Sequence, residues 1–350
     1  MVDPSLTKTP HNRNSYIGTV GLQFNGLSQY SIPMRTSWQL LSRQSGKLDP
    51  RQSTCLAWLR GAPLLCLCLI AGCAVGPQLK PEIVAKVHDT SIRSYLPQNQ
   101  VKGQFLLSGY GAGGGLIGAV VDVSVNRGRQ RESENRVHKI WDETTDFDFR
   151  QKYWSCISNQ VQEVSWLKMK AFQGRASGVI PVTKDMVADG ALLHLGTDYI
   201  LSQDCRVLII ETGMGFFPPG QTGNPEAATI VHYYSTEIGE PEGDDAIPLW
   251  TADHAAAFRS AAEEGIEQSG KLVRFALEYM GGQPRAEERP AVIKFRPTHA
   301  RGDFGIKSGR MSMSGAVLEE SPDRIIFRNT FGHVYSLPAR EIEVKYRSAK

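Results

Sequence analysis

The sequence predicts an α+β fold: an antiparallel sheet covered by amphipathic helices, with a small all-β module at the C-terminal end. Three observations carry this. Two stretches repeat apolar residues at three- and four-residue steps, three runs rich in β-branched and aromatic residues lie between them, and four or five shorter runs come last. Strands grouped between helices imply segregated layers rather than alternating β-α units.

Taken in order, the core domain is expected over residues 83–283. An extended stretch runs from Ile83 through Val87 to Tyr95 and is ended by Pro97. Next comes Gly-Tyr-Gly-Ala-Gly-Gly-Gly-Leu-Ile-Gly, from Gly109 to Gly118, leading into a polar helical segment from Asn126 to Trp141. A second helix is capped by Asp146 or Asp148 and presents Phe149, Tyr153, Cys156, Ile157, Val161 and Val164 on one face. Strands follow over Ala191–Ser202, Arg206–Phe216 and Ala228–Ile238, the first two joined as a hairpin by a Gln203-Asp204 turn. A long helix after Thr251 keeps Phe258, Ala262, Ile266, Leu272, Val273, Leu277 and Met280 in phase until Gly281-Gly282 stops it. Composition then shifts to a charged, proline-bearing linker. The β module is expected over 291–347, with strands at Val292–Phe295, Ala316–Glu319, Arg324–Arg328, Val334–Leu337 and Ile342–Tyr346; fusion of these strands to the main sheet is the alternative.

Gly111 and Gly115, like Gly114 and Gly118, are four apart, so in a helix each pair lies on one face and admits a second backbone closely. The apolar part is too short to span a bilayer. Internal packing against the sheet is the first reading, and contact of Gly111, Gly115 and Gly118 with a partner or a membrane the second. A phosphate cradle would need Lys-Ser/Thr after the last glycine, and Leu116–Val121 has neither.

Upstream, an apolar run from Leu56 to Gly72 carries Arg60 near its start and Arg51 before it, and ends in Ile70-Ala71-Gly72-Cys73. Positive charge, a short apolar region and small residues at the end describe an export signal rather than a membrane span. The last four residues resemble the lipobox of bacterial lipoproteins, which implies cleavage between Gly72 and Cys73 and a lipid on Cys73. Residues 51–72 are then the signal and 73–82 a lipidated tether. Residues 1–50, polar and without period, are expected to be disordered or to precede the true start, with Met34 a candidate initiator.

Residues 1–72 hold seven Lys or Arg and two acidic residues, so the remaining 278 residues fall from the whole-chain net charge of +3 to about −2. The basic balance belongs to the leader, and nucleic acid is not an expected partner. Of six cysteines only Cys156 and Cys205 lie beyond Cys73, and in an oxidising compartment they are a candidate disulfide. No Cys/His spacing suggests a metal. Ser165-Trp166-Leu167-Lys168 matches S-x-x-K without its partner motifs, and Arg301-Gly302-Asp303 is read as chance. His194 and His232 fall inside strands and are read as structural, and the carboxylates of Asp142, Glu143, Asp146 and Asp148 as helix-capping rather than calcium-binding. No catalytic residue and no cofactor is assigned.

The order of elements behind the lipobox is similar to envelope lipoproteins of proteobacteria, including accessory subunits of envelope machines; the C-terminal β module departs from them. The resemblance implies a non-enzymatic binding or scaffold component, held on the membrane by its lipid and working with an envelope protein. Because Ala74 is not acidic, it implies the periplasmic leaflet of the outer membrane. An envelope hydrolase acting on peptidoglycan or lipid is the alternative.

Overall fold

The structure, a computed structural model, describes residues 78–103, 131–132, 134–202, 204–240, 245–283, 287–295 and 311–347. The lipobox, the 109–118 glycines and Arg301-Gly302-Asp303 lie outside them. The fold is α+β, with one eleven-stranded sheet among the described residues.

Pro81 pre-sets the first turn of a short helix, α1 (Pro81–Val84), where a strand is expected, so the extended chain begins later at β1 (Thr90–Tyr95). After β2 (Lys102–Gly103) and helix α2 (134–143), Asp148 caps α3 (Phe149–Gln162) by accepting from Gln151 N–H at 2.9 Å. Strand β3 (Met169–Arg175) follows, then the meander β4 (Ala191–Leu201), β5 (Leu208–Phe217) and β6 (Ala227–Tyr234). Helix α4 (Ile247–Met280) leads to β7 (Arg289–Phe295), β8 (Met311–Glu320), β9 (Arg324–Asn329), β10 (Val334–Pro338) and β11 (Ile342–Tyr346).

Strand order is β11-β7-β8-β9-β10-β6-β5-β4-β1-β3, with β2 also on β4. The sheet is mixed rather than antiparallel. The β4–β5–β6 meander and the C-terminal strands pair antiparallel, but β1 runs parallel to β3 and β4, β2 to β4, and β10 to β6. Through the β6–β10 ladder the C-terminal strands are hydrogen-bonded into the main sheet.

One face of the sheet meets the helices. Tyr153, Ile157 and Val161 of α3 and Phe258, Ala262, Ile266, Val273 and Leu277 of α4 pack in one cluster with Leu193, Leu195, Ile210, Met214, Phe216 and Val231. Residues one step along the strands face the other way. There Val207, Ile209 and Tyr234 join Ile293, Phe295, Val317, Ile325, Phe327 and Tyr335 in a second apolar cluster.

Between the layers, Arg324 donates from Nε to Ser336 Oγ at 2.8 Å, from one terminal nitrogen to Glu264 Oε1 at 2.8 Å and from the other to the carbonyls of Tyr234 and Ser336. Its guanidinium lies 4.5 Å from the Tyr233 ring. The side chain is 7% exposed, so a charge that would be costly alone is fully spent on partners.

Candidate functional site

A row of ionisable groups crosses the sheet on the face away from the helices. Asp198 on β4 stands opposite Glu211 on β5, and Glu211 opposite His232 on β6. In parallel register the next residue is Tyr335 on β10. Directly opposed cross-strand side chains have Cβ atoms about 5 Å apart, so each member acts on the next. The His232 Nδ1 is 3.3 Å from Glu211 Oε2, the imidazole being 1% exposed and the carboxylate 43%. The His232 ring stacks on Tyr335 at 4.7 Å and 7°, with His333 6.1 Å away. Its Nε2 has no hydrogen-bond partner among the described residues.

Environment separates the two carboxyls. Burial raises Asp198, with Lys102 opposing and the Glu211 charge adding to the rise. Burial would raise Glu211 too, but His232, by charge and by contact, and His333 more than offset it and hold that carboxyl below its usual range. Burial, reinforced by His232, takes the His333 imidazole down to about 4 against the pull of Glu211. A carboxyl biased toward its acid form therefore neighbours one held as the anion, the division of labour that acid–base chemistry uses. The floor beside this row is small. Gly196 pairs with Gly213, and Gly215 with Ala228, in unbroken register.

The sequence-derived candidates are not gathered here. Gly72, Cys73, Gly111, Gly115 and Gly118 lie outside the described residues. Cys156 and Cys205 are free thiols rather than a bridge. Cys156 Sγ sits on the α3–α4 contact, 3.4 Å from the Ile266 carbonyl, whereas Cys205 is in the β4–β5 loop, its carbonyl accepting from Trp250 Nε1 at 2.5 Å. Burial raises both thiols, Cys205 to about 11. Ser165 Oγ bonds Gln283 at 3.3 Å rather than Lys168. His194 is locked against Tyr95 Oη at 3.1 Å, with burial and then Arg93 lowering its pKa to about 4. Asp148 is the helix cap, and Asp146 holds Arg259 through both oxygens, at 2.5 and 3.1 Å. Among the described residues no group of three or more His, Cys, Asp or Glu could hold a metal ion, and no helix is long and apolar enough to cross a membrane.

The Asp198–Glu211–His232 row escapes a sequence reading for a definite reason. A two-residue Gln203-Asp204 turn would set Asp198 opposite Ile209, but Ser202 N–H bonds the Val207 carbonyl at 2.8 Å, closing a four-residue loop that shifts the partner to Glu211. Compared with protein-family models, curated proteins and solved structures, the chain matches none.

Proposed function

We propose that this protein is a lipid-anchored, non-enzymatic binding component of a bacterial envelope assembly, held on the periplasmic leaflet of the outer membrane by acyl chains on Cys73. The observation that carries the reading is the short apolar run closed by Ile70-Ala71-Gly72-Cys73. The described fold begins at residue 78, five positions after Cys73, and Leu79 N–H already bonds the Met280 carbonyl at 2.8 Å. Five residues reach at most about 18 Å. A tether that short would keep the body against the membrane surface, where a neighbouring envelope protein is within reach. Cross-linking in intact cells followed by affinity recovery tests the role: a stoichiometric envelope partner is expected, recovered less from the Cys73→Ser variant. Absence of any partner would contradict it.

One observation favours the second reading, an envelope hydrolase acting on peptidoglycan or lipid: the pairing of a raised Asp198 carboxyl with a lowered Glu211 carboxyl. That reading expects muropeptide or lipid turnover by the wild-type protein that falls at least about a hundredfold in Asp198→Asn or Glu211→Gln. Turnover that survives both substitutions, or that the wild type lacks, removes it.

A further inference from the structure

The sheet ends on one side at β3, whose second edge has no strand partner among the described residues. An open strand edge presents N–H and C=O groups to any extended chain, and proteins ordinarily blunt it. Beside this edge runs a groove of about 370 Å³ between β3 and α3, lined by Gln151, Trp154, Ser155, Ser158, Asn159 and Phe172. Trp154 lies over Gly174 so closely that a Cβ there would fall 2.4 Å from the indole. The Trp154 Nε1–H is buried without a hydrogen-bond partner among the described residues, although a buried indole N–H ordinarily has one.

Charge narrows the occupant. Strand β3 reads Met-Lys-Ala-Phe-Gln-Gly-Arg, with Lys168 just before it, and neither the strand nor the groove lining contains a carboxylate. Lys168, Lys170 and Arg175 are exposed, and Arg150 lies 5.8 Å from the Trp154 ring. The two acidic residues that flank α3 are both engaged, the N-cap Asp148 by the Gln151 N–H and the C-cap Glu163 by Arg274. A second copy of this chain added edge to edge would bring these cations against their own counterparts, which disfavours self-pairing. We propose that β3 and its groove bind an extended acidic segment of a partner protein as an added strand, with main-chain bonds to β3, carboxylates on Lys168, Lys170 and Arg175, and an acceptor for the Trp154 N–H. This names the chemistry of the partner in the binding role above and rests on that reading.

The test uses the purified full chain and fluorescently labelled synthetic peptides of about eight residues, alternating Glu with Val or Thr, followed by anisotropy. The Glu peptide should bind saturably and at least about tenfold tighter than its Lys counterpart, and weaken as salt rises to about 0.5 M. N-methylation of alternate amides should abolish binding. Lys170→Glu combined with Arg175→Glu, both exposed, should invert the preference while leaving the unfolding midpoint in place. Equal affinities for the Glu, Lys and N-methylated peptides, or no saturable binding, would overturn the proposal. So would a β3-mediated dimer that the Glu peptide does not dissociate. None of these outcomes depends on Cys73, so failure of the anchor and failure of this surface are separable.

Discussion

His194 and His333 connect single side chains to the stability of the whole. Both imidazoles titrate near 4, first because they are buried, then because Arg93 and His232 respectively disfavour a further charge. The unfolded chain takes up these protons near 6.5, so from about pH 6.5 down to 4 it binds more protons than the folded one. The stabilisation is complete above pH 6.5 and is lost as pH falls through 4, on the order of 1–3 kcal/mol for each group. Urea midpoints at pH 7.5, 6 and 5 should fall steeply in the wild type and less steeply in His194→Gln with His333→Gln. An unchanged slope would contradict the burial assigned to them. Arg324 is the complementary case, a charge that stays on. Arg324→Ala should cost about 2–4 kcal/mol by denaturant unfolding, because Ser336 and the Tyr234 carbonyl lose buried partners. A loss under about 0.5 kcal/mol would show that solvent replaces it.

At the scale of elements, α4 is two helices in one. Ala252 is extended, and Asp253, His254 and Ala255 have φ of 49°, 57° and 59°, the left-handed region that side chains resist. The apolar phase from Phe258 to Met280 is legible in the sequence because every one of its expected core residues is buried against the sheet. The break is not, since Thr-Ala-Asp-His-Ala has no glycine or proline to mark it. His254→Gly, at an exposed position of the same turn, should therefore leave the thermal midpoint unchanged or raise it, although a glycine inside a regular helix costs about 1 kcal/mol relative to alanine. A drop of that size would mean that the left-handed turn is not strained. Strand β3 is illegible for a related reason. Met-Lys-Ala-Phe-Gln-Gly-Arg holds no β-branched residue and takes its conformation from the parallel ladder with β1. The capping of α3 by Asp148 and the antiparallel pairing of β4 with β5, though not its register, by contrast follow from local chemistry that a single segment carries.

Across the whole molecule the β6–β10 ladder is the decisive contact, because it makes one sheet of segments on either side of a charged linker. Composition marks a change near residue 290 but cannot report long-range pairing, which is why a separate β module and a fused one look alike in sequence. One sheet with shared clusters on both faces should unfold in a single transition, with tryptophan fluorescence and far-UV circular dichroism coincident. Two resolved transitions would mean that the C-terminal strands are stable apart. The proposed function rests on a different part of the chain. If the body is a tethered binding component, its anchor is chemical and has a mass. The direct measurement is mass spectrometry of the protein extracted from envelope membranes. A mature N-terminus at Cys73 bearing acyl chains is expected, with loss of the modification and of membrane retention in Cys73→Ser. An unmodified Cys73 still preceded by Gly72 in the membrane-extracted protein would contradict it.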